Sequence, residues 1–308
     1  MKSDVVLLLA NVVYGTSSLA SRIALDAVPP ATLGLVRLLL GALVLAVAAL
    51  AGRERVRLHG RDAWRVFWMG VLGFAGAYAL ANWGLVGSTV TNAALLIIVE
   101  PVVLIALAPL LLGERLTHRE AWGAPLTLVG AMIVVTNGIP GVTERLFPSW
   151  RGDLLLVASG VAYALYSLIG RRVLLEHRPV PVTLLSIAWG IAGIMPLAAA
   201  EWLRGETPRW SAGSAVAALY LGVVVTGLGY LVWNSALARV TAARAGIFLT
   251  VQPVVGVLSG VLVRGEHATA FTAVGGSLIV LGLAATMVPR PRSWTARPVR
   301  EHEGTPRA

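Results

Sequence analysis

Glu100 is the only charged residue in the apolar run 93–112. A carboxylate in such a place has two chemical uses. It can hold a cationic group of a ligand, or it can take up and release a proton. The plain alternative is a protonated Glu bonded to a neighbouring helix. Gln252 lies in a second apolar run, and each of the two is followed by proline, Pro101 and Pro253. Proline inside a helix frees the carbonyl one turn earlier, which would open backbone groups to a cavity. Arg37 is the other charge set among apolar residues. Three readings stay open for it: pairing with Glu100, binding a ligand carboxylate, or snorkelling toward a polar surface.

Tyrosines recur near these charges with polar residues four positions on. Tyr14 and Ser18 form one such pair, and Tyr163 and Ser167 another. Tyr78 with Asn82, and Tyr230 with Asn234, repeat the spacing. Residues four apart share a helical face. Aromatic walls carrying a few hydrogen-bonding groups suit small amphipathic solutes, and helix packing is the plain alternative. Asn82 and Asn234 fall nearer the ends of their apolar runs, where interhelical bonding or capping competes with a gating role. Other chemistry finds no support. There is no Cys, and the five His residues (59, 118, 177, 267 and 302) fall in loops or the tail. No phosphate-binding GxxxxGK[ST] loop occurs and no acids pair within an apolar run. An enzyme, a cofactor, a resident metal and a nucleotide-driven pump are therefore not expected.

The elements that must position these residues follow from composition. Of the 308 residues, 57% are hydrophobic and 13% charged, against about 45–50% and 25% in soluble domains. Crossing a bilayer takes about 20 apolar residues. Such segments recur at 5–25, 29–51, 64–86, 90–112, 119–137, 152–172, 180–201, 212–236, 240–263 and 269–288. They lack the alternation of membrane strands, so they are read as helices. The expected fold is all-α, a polytopic membrane protein with ten transmembrane helices, and its first partner is the lipid bilayer. With the N-terminus inside, 18 of the 25 cations fall on the cytoplasmic side and five on the other. Both termini are therefore placed in the cytoplasm. The net charge of +10 is then a topology signal, and no nucleic-acid partner is implied. Trp64, Trp68, Trp150, Trp202 and Trp210 fall near span ends, as interfacial anchors do.

The chain also repeats itself. Shifted by 152 residues, 70–130 matches 222–282 at 19 of 61 positions. The polar and special matches are the informative ones: Tyr78 with Tyr230, Asn82 with Asn234, Pro101 with Pro253, and Gly113-Glu114 with Gly265-Glu266. At a shift of 149, Tyr14, Ser18 and Arg22 match Tyr163, Ser167 and Arg171. Five spans is an odd number, so the second copy enters the membrane from the opposite side. The expected organisation is two inverted five-helix repeats, 1–137 and 152–288, with an extracytoplasmic linker over 138–151. A basic, disordered cytoplasmic tail is expected over 289–308. Inverted repeats are a recurring design of secondary transporters. Glu114 and Glu266, although repeated, are read as structural.

The stretch from Ala93-Ala94-Leu95-Leu96 to Glu100-Pro101, then Leu111-Leu112-Gly113-Glu114-Arg115-Leu116-Thr117, Gly123 and Gly130, resembles the EamA family of the drug/metabolite transporter superfamily. Ala245 to Gln252-Pro253 and Gly265-Glu266 resemble the same pattern more loosely. The second copy departs at Gln252 for Glu100 and His267 for Arg115, so a role needing charge there belongs to one half. The resemblance implies export of small metabolites, often amino acids and their relatives, across a bacterial inner membrane. The expected function is a secondary exporter working by alternating access on a small-molecule substrate. Protons are the candidate coupling ion, with facilitated transport the alternative, and monomer and homodimer are equally open. Drug or nucleoside efflux, or a non-transport membrane scaffold, are the competing readings. The expected cavity residues are Tyr14, Ser18, Arg37, Tyr78, Asn82, Glu100, Tyr163, Ser167, Tyr230, Asn234 and Gln252.

Overall fold

The computed structural model describes residues 2–54, 58, 60–100, 102–103, 106–107, 118–136, 149–232 and 251–287. Asn234, Pro101, Glu114, Thr117, most of the 138–151 linker and the 289–308 tail lie outside the described residues. The helices are α1 (Lys2–Gly15), α2 (Ser17–Leu25), α3 (Pro30–Ala51), α4 (Arg61–Val86), α5 (Val90–Leu96) and α6 (His118–Thr136). They continue with α7 (Trp150–Glu176), α8 (Pro179–Leu203), α9 (Ala212–Val232), α10 (Val251–Arg264) and α11 (Ala270–Met287). Among the described residues there is no strand. Pro30–Ala51, Arg61–Val86, Trp150–Gly170, Pro179–Leu203 and Ala212–Val232 are each long and apolar enough to cross a membrane. Ala121–Val134, Val251–Arg264 and Ala270–Gly282 are shorter apolar segments.

α3 shows how these sequences meet both lipid and protein. Pro29 and Pro30 open it, and proline's fixed φ suits a first helical turn. Leu39, Leu43, Val47 and Leu50 then form an exposed stripe. Leu38, Gly41, Leu45 and Ala49 form the buried one. In water such an outer stripe would be costly; in a bilayer it is the expected surface.

The first span departs from the continuous helix expected over 5–25. It breaks at Thr16, between α1 and α2. The Thr16 hydroxyl donates back to the Val13 carbonyl (2.8 Å) and meets the Tyr220 hydroxyl at 2.7 Å. Back-bonding of this kind bends helices. The break separates Tyr14 from Ser18, so the two no longer share one uninterrupted face.

Two π-helical stretches lie at repeat-equivalent places, Met69–Gly76 within α4 and Tyr220–Leu228 within α9. Each packs on the second span of the other half, α8 and α3 respectively. The matched glycines Gly70 and Gly222 allow it. A Cβ on Gly70 would strike the α8 backbone at Ser186, and one on Gly222 would strike Leu40.

The repeats are inverted, as the odd span count requires. The start of α3 meets the end of its counterpart α8, where Glu201 accepts from the Ala31 and Thr32 amides at 2.8 and 2.9 Å. The start of α5 meets the end of its counterpart α10, where Glu266 accepts from the Val90 and Thr91 amides at 2.7 and 2.8 Å. α6 and α11 also run antiparallel, with Gly130 against Gly275 and Gly123 against Gly282. Equivalent helices therefore point in opposite directions through the bundle.

The α6–α11 contact supplies the first prediction. A Cβ on Gly130 would lie 2.6 Å from the Gly275 carbonyl oxygen and 2.8 Å from the Ile279 amide nitrogen. Backbone atoms cannot yield as side chains do. Gly130→Ala should therefore destabilise the protein by about 1–3 kcal/mol, read as a lowered thermal unfolding midpoint in detergent. Gly213→Ala, whose Cβ would meet nothing nearer than 3.9 Å, should leave the midpoint unchanged or raise it.

Candidate functional site

Arg37 reaches across from α3 to α9, where its Nε donates to the Thr226 hydroxyl at 2.8 Å. Its guanidinium carbon lies 4.3 Å from the centre of the Tyr78 ring. Among the described residues no carboxylate pairs with Arg37. Of the three readings open from sequence, the structure shows neither the pairing with Glu100 nor a snorkelled side chain. The charge is instead held by a hydroxyl and an aromatic face. A cation over a ring gains about 0.5–2 kcal/mol, more when desolvated.

Tyr78 begins a wall of rings. It lies edge-on to Phe74 with centroids 6.0 Å apart, and 5.9 Å from Tyr163. Phe74 in turn meets Tyr166 at 5.2 Å and Tyr230 at 5.8 Å. Residues of α4 and α9 thus share one aromatic surface with residues of α7. Tyr14 approaches from α1: a Cβ on Gly229 would lie 2.7 Å from its hydroxyl. Phe74, Tyr166 and Thr226 were not expected here. The repeat could have pointed to two of them, since Phe74 and Thr226 are 152 positions apart.

Glu100 stands just beyond a turn at Ile97 and Ile98 that interrupts the helix begun by α5. The Ser167 hydroxyl donates to its Oε1 at 3.1 Å. Among the described residues, no cation pairs with Glu100. Its counterpart Gln252 donates from Nε2 to the Asn11 Oδ1 at 2.8 Å. Ser18, the counterpart of Ser167, makes no hydrogen bond to another described residue. Equivalent positions in the two halves are therefore in different bonding states.

Asn82 makes the interhelical bond that its sequence position set against a gating role. Its side chain is buried and donates to the Pro30 carbonyl at 2.9 Å, so it ties α4 to the start of α3.

The bundle ends differ from the middle. At one end Arg22 donates to the Leu85 carbonyl at 2.6 Å, and Arg264 to Asp26 at 3.0 Å. Ser88 and Asn92 there donate to the buried Asp153. At the other end Asp62 takes Arg65 at 2.8 Å and His177 at 3.3 Å. Ligand atoms of Asp62, Glu176 and His177 lie within 4.8 Å of one another. Asp62 is already engaged by Arg65, and its contact with His177 joins α4 to the end of α7.

Among the described residues, five helices long and apolar enough to cross a membrane, shorter apolar helices beside them and a tyrosine-lined interior describe a polytopic membrane fold. The EamA-like transporter family model matches residues 1–136 and again 150–288. The chain belongs to the EamA-like transporter family. It is thus a multi-pass membrane protein, and its relatives are transporters rather than enzymes. It is 28% identical to a probable terminal-alkyne amino-acid exporter of Streptantibioticus cattleyicolor, over 90% of each chain. It is 25% identical to a probable amino-acid metabolite efflux pump of Salmonella typhimurium, over 58% of this chain and 60% of that one. A solved crystal structure superposes with a TM-score of 0.65 at 23% identity, covering 94% of this chain and 99% of the other. That likeness speaks for the fold of this EamA-like protein alone.

Proposed function

We propose that this EamA-like protein is a secondary exporter of small metabolites, amino acids or related compounds, in a bacterial inner membrane. One observation carries the reading. Arg37 lies over the Tyr78 ring and Glu100 accepts from Ser167, one helical turn from Tyr163, and neither has an ion-pair partner among the described residues. The names of the amino-acid exporter and the efflux pump it resembles support the substrate class. The moving units are 1–137 and 152–288, joined by the extracytoplasmic linker 138–151, and 289–308 is a cytoplasmic tail. Exchange of conformations between two copies of one bundle opens the site to either side in turn. Protons are the proposed coupling ion.

The aromatic wall favours a second substrate class, flat apolar drugs or nucleosides. Purified protein in liposomes decides between them by counterflow. Labelled amino acids should exchange, and cationic drugs and nucleosides should not. Exchange of drugs alone would move the protein to the second class, and no exchange at all would leave a scaffold. Orientation has its own test. Reporters fused at the C-terminus and within 138–149 should report the cytoplasm and the opposite side, as the 18 to five cation split demands. Both on one side would refute ten spans.

A further inference from the structure

A ledge of aromatic rings runs along the first turns of α4. Trp64 stacks on Phe67 with centroids 5.2 Å apart, and Trp68 stands edge-on to both at 5.5 and 5.4 Å. Phe67 then meets Trp189 of α8 at 5.2 Å, so the ledge crosses from the first repeat to the second. Nothing among the described residues closes over it: Trp64 is 60% exposed and Trp189 40%. Arg61, Trp64, Arg65 and Trp68 follow one another at three- and four-residue spacing, which puts them on one helical face. Charge begins this face, and the face extends for about 10 Å along the helix axis.

Five arginines fall within 53–65, and the acids at this end of the bundle are engaged elsewhere. Asp62 takes Arg65 and His177, with Glu176 beside them, and Glu54 takes Arg178 at 3.6 Å. Arg53 and Arg61 are exposed, and among the described residues no carboxylate pairs with either. Interfacial tryptophans anchor helices in any bilayer, but the repeat shows that the fold does not require this face. A shift of 152 places Gly213, Val216, Ala217, Leu219 and Tyr220 where Arg61, Trp64, Arg65, Phe67 and Trp68 stand. Trp189 packs on Gly70 where, in the other half, Leu40 packs on Gly222. The same helix pairing is therefore built twice, and one copy carries the cations and rings.

We infer that this ledge is a seat for an anionic phospholipid, its phosphate taken by Arg61 and its glycerol and upper chains laid over Trp64, Phe67 and Trp189. The rings belong to helices apolar enough to cross a membrane, so the occupant carries hydrocarbon as well as charge. A zwitterionic phospholipid could cover the rings but lacks the net charge that the arginines match. Each arginine near a lipid surface is worth about fivefold in affinity for anionic lipid. The inference does not depend on which solute the protein moves.

The test uses full-length protein in dodecyl maltoside, titrated with phosphatidylglycerol, phosphatidylcholine or glycerol phosphate while the thermal unfolding midpoint is followed. A ligand that binds the folded state raises the midpoint with its concentration, which yields an apparent Kd. Phosphatidylglycerol should raise it, phosphatidylcholine should do so much less, and glycerol phosphate should leave it unchanged. Added salt should weaken the phosphatidylglycerol effect. Arg61→Gln should raise the apparent Kd for phosphatidylglycerol about fivefold without moving the midpoint measured in detergent alone, since its side chain is exposed. Trp64→Ala should weaken binding as well. Arg300→Gln, which removes a cation of the tail, should leave the Kd unchanged. Equal effects of the two lipids would reduce the ledge to an ordinary anchor and overturn the proposal. An equal effect of glycerol phosphate would make it a free-anion site, and equal losses in Arg61→Gln and Arg300→Gln would make it diffuse surface charge; either result would overturn the seat.

Discussion

Glu100→Gln should leave the protein folded and strip its transport of pH dependence. The substitution keeps the shape of the side chain. Ser167 donates to Oε1 at 3.1 Å, and an amide oxygen can also accept that bond. Gln252 shows that the fold carries an amide at the equivalent position, where it bonds to Asn11. What is lost is the charge. A carboxylate can hold the substrate's ammonium or a proton, but not both. A proton arriving from the acidic side displaces the ammonium, and an ammonium arriving from the cytoplasm displaces the proton. Export by the wild type should therefore speed up as the outside pH falls. In Glu100→Gln the rate should be flat with pH and uphill export driven by a proton gradient should vanish. Hydrogen bonds to charged groups contribute about 1.5–3 kcal/mol, so the KM for an amino acid should rise roughly tenfold or more. Exchange at saturating substrate should persist. Liposomes with buffered interiors at several outside pH values measure all of this. A wild-type pH slope surviving in the variant would place coupling elsewhere.

Glu201→Ala should be the most destabilising single change in this account. Its carboxylate is buried at the end of α8 and accepts three bonds from the start of α3: the Ala31 amide at 2.8 Å, the Thr32 amide at 2.9 Å and the Thr32 hydroxyl at 2.9 Å. The Trp202 indole donates to that same hydroxyl at 2.9 Å. A carboxylate at a helix N-terminus also meets the positive end of the helix dipole. Removal leaves two buried amides without acceptors, each costing about 1–3 kcal/mol. The loss should be about 3–5 kcal/mol, seen as a large drop in the thermal midpoint or as failure to accumulate in the membrane. Glu201→Gln keeps one acceptor oxygen and should fall between. Glu206 is the control. It is exposed and pairs with the exposed Arg204 at 3.7 Å, so Glu206→Gln should shift stability by less than about 1 kcal/mol. Equal effects at the two positions would contradict the assignment.

Much of this architecture was legible in the chain. Apolar length marked the spans, and the shift of 152 marked the second copy, because lipid and symmetry act on whole segments. The inversion followed from the odd span count alone. Glu266 was readable as structural, and it does hold the first amides of α5. Individual residues were legible by type, and their partners were not. Arg37 meets Thr226 across 189 positions, and Glu201 meets Thr32 across 169. Which face of one helix turns toward which face of another is set by packing between the halves, and periodicity within one span carries no trace of it. Asn82 illustrates this. Its spacing from Tyr78 suggested a shared cavity face, yet Pro30's carbonyl takes its amide. The contact made at the Thr16 break was hidden for the same reason, since its partner is the distant Tyr220 hydroxyl.

The central claim is that the inverted units part at one end of the bundle during each cycle. Asp26 and Arg264 face each other there, one from each unit, at 3.0 Å. Both are partly exposed, so replacing them costs little. The chain has no cysteine, so Asp26→Cys with Arg264→Cys introduces the only two thiols. A short bifunctional thiol reagent joining them should stop amino-acid counterflow in liposomes, and a reductant that cleaves the bridge should restore it. Each single variant treated the same way should stay active. Counterflow continuing at full rate through the bridged protein would contradict alternating access at this seam.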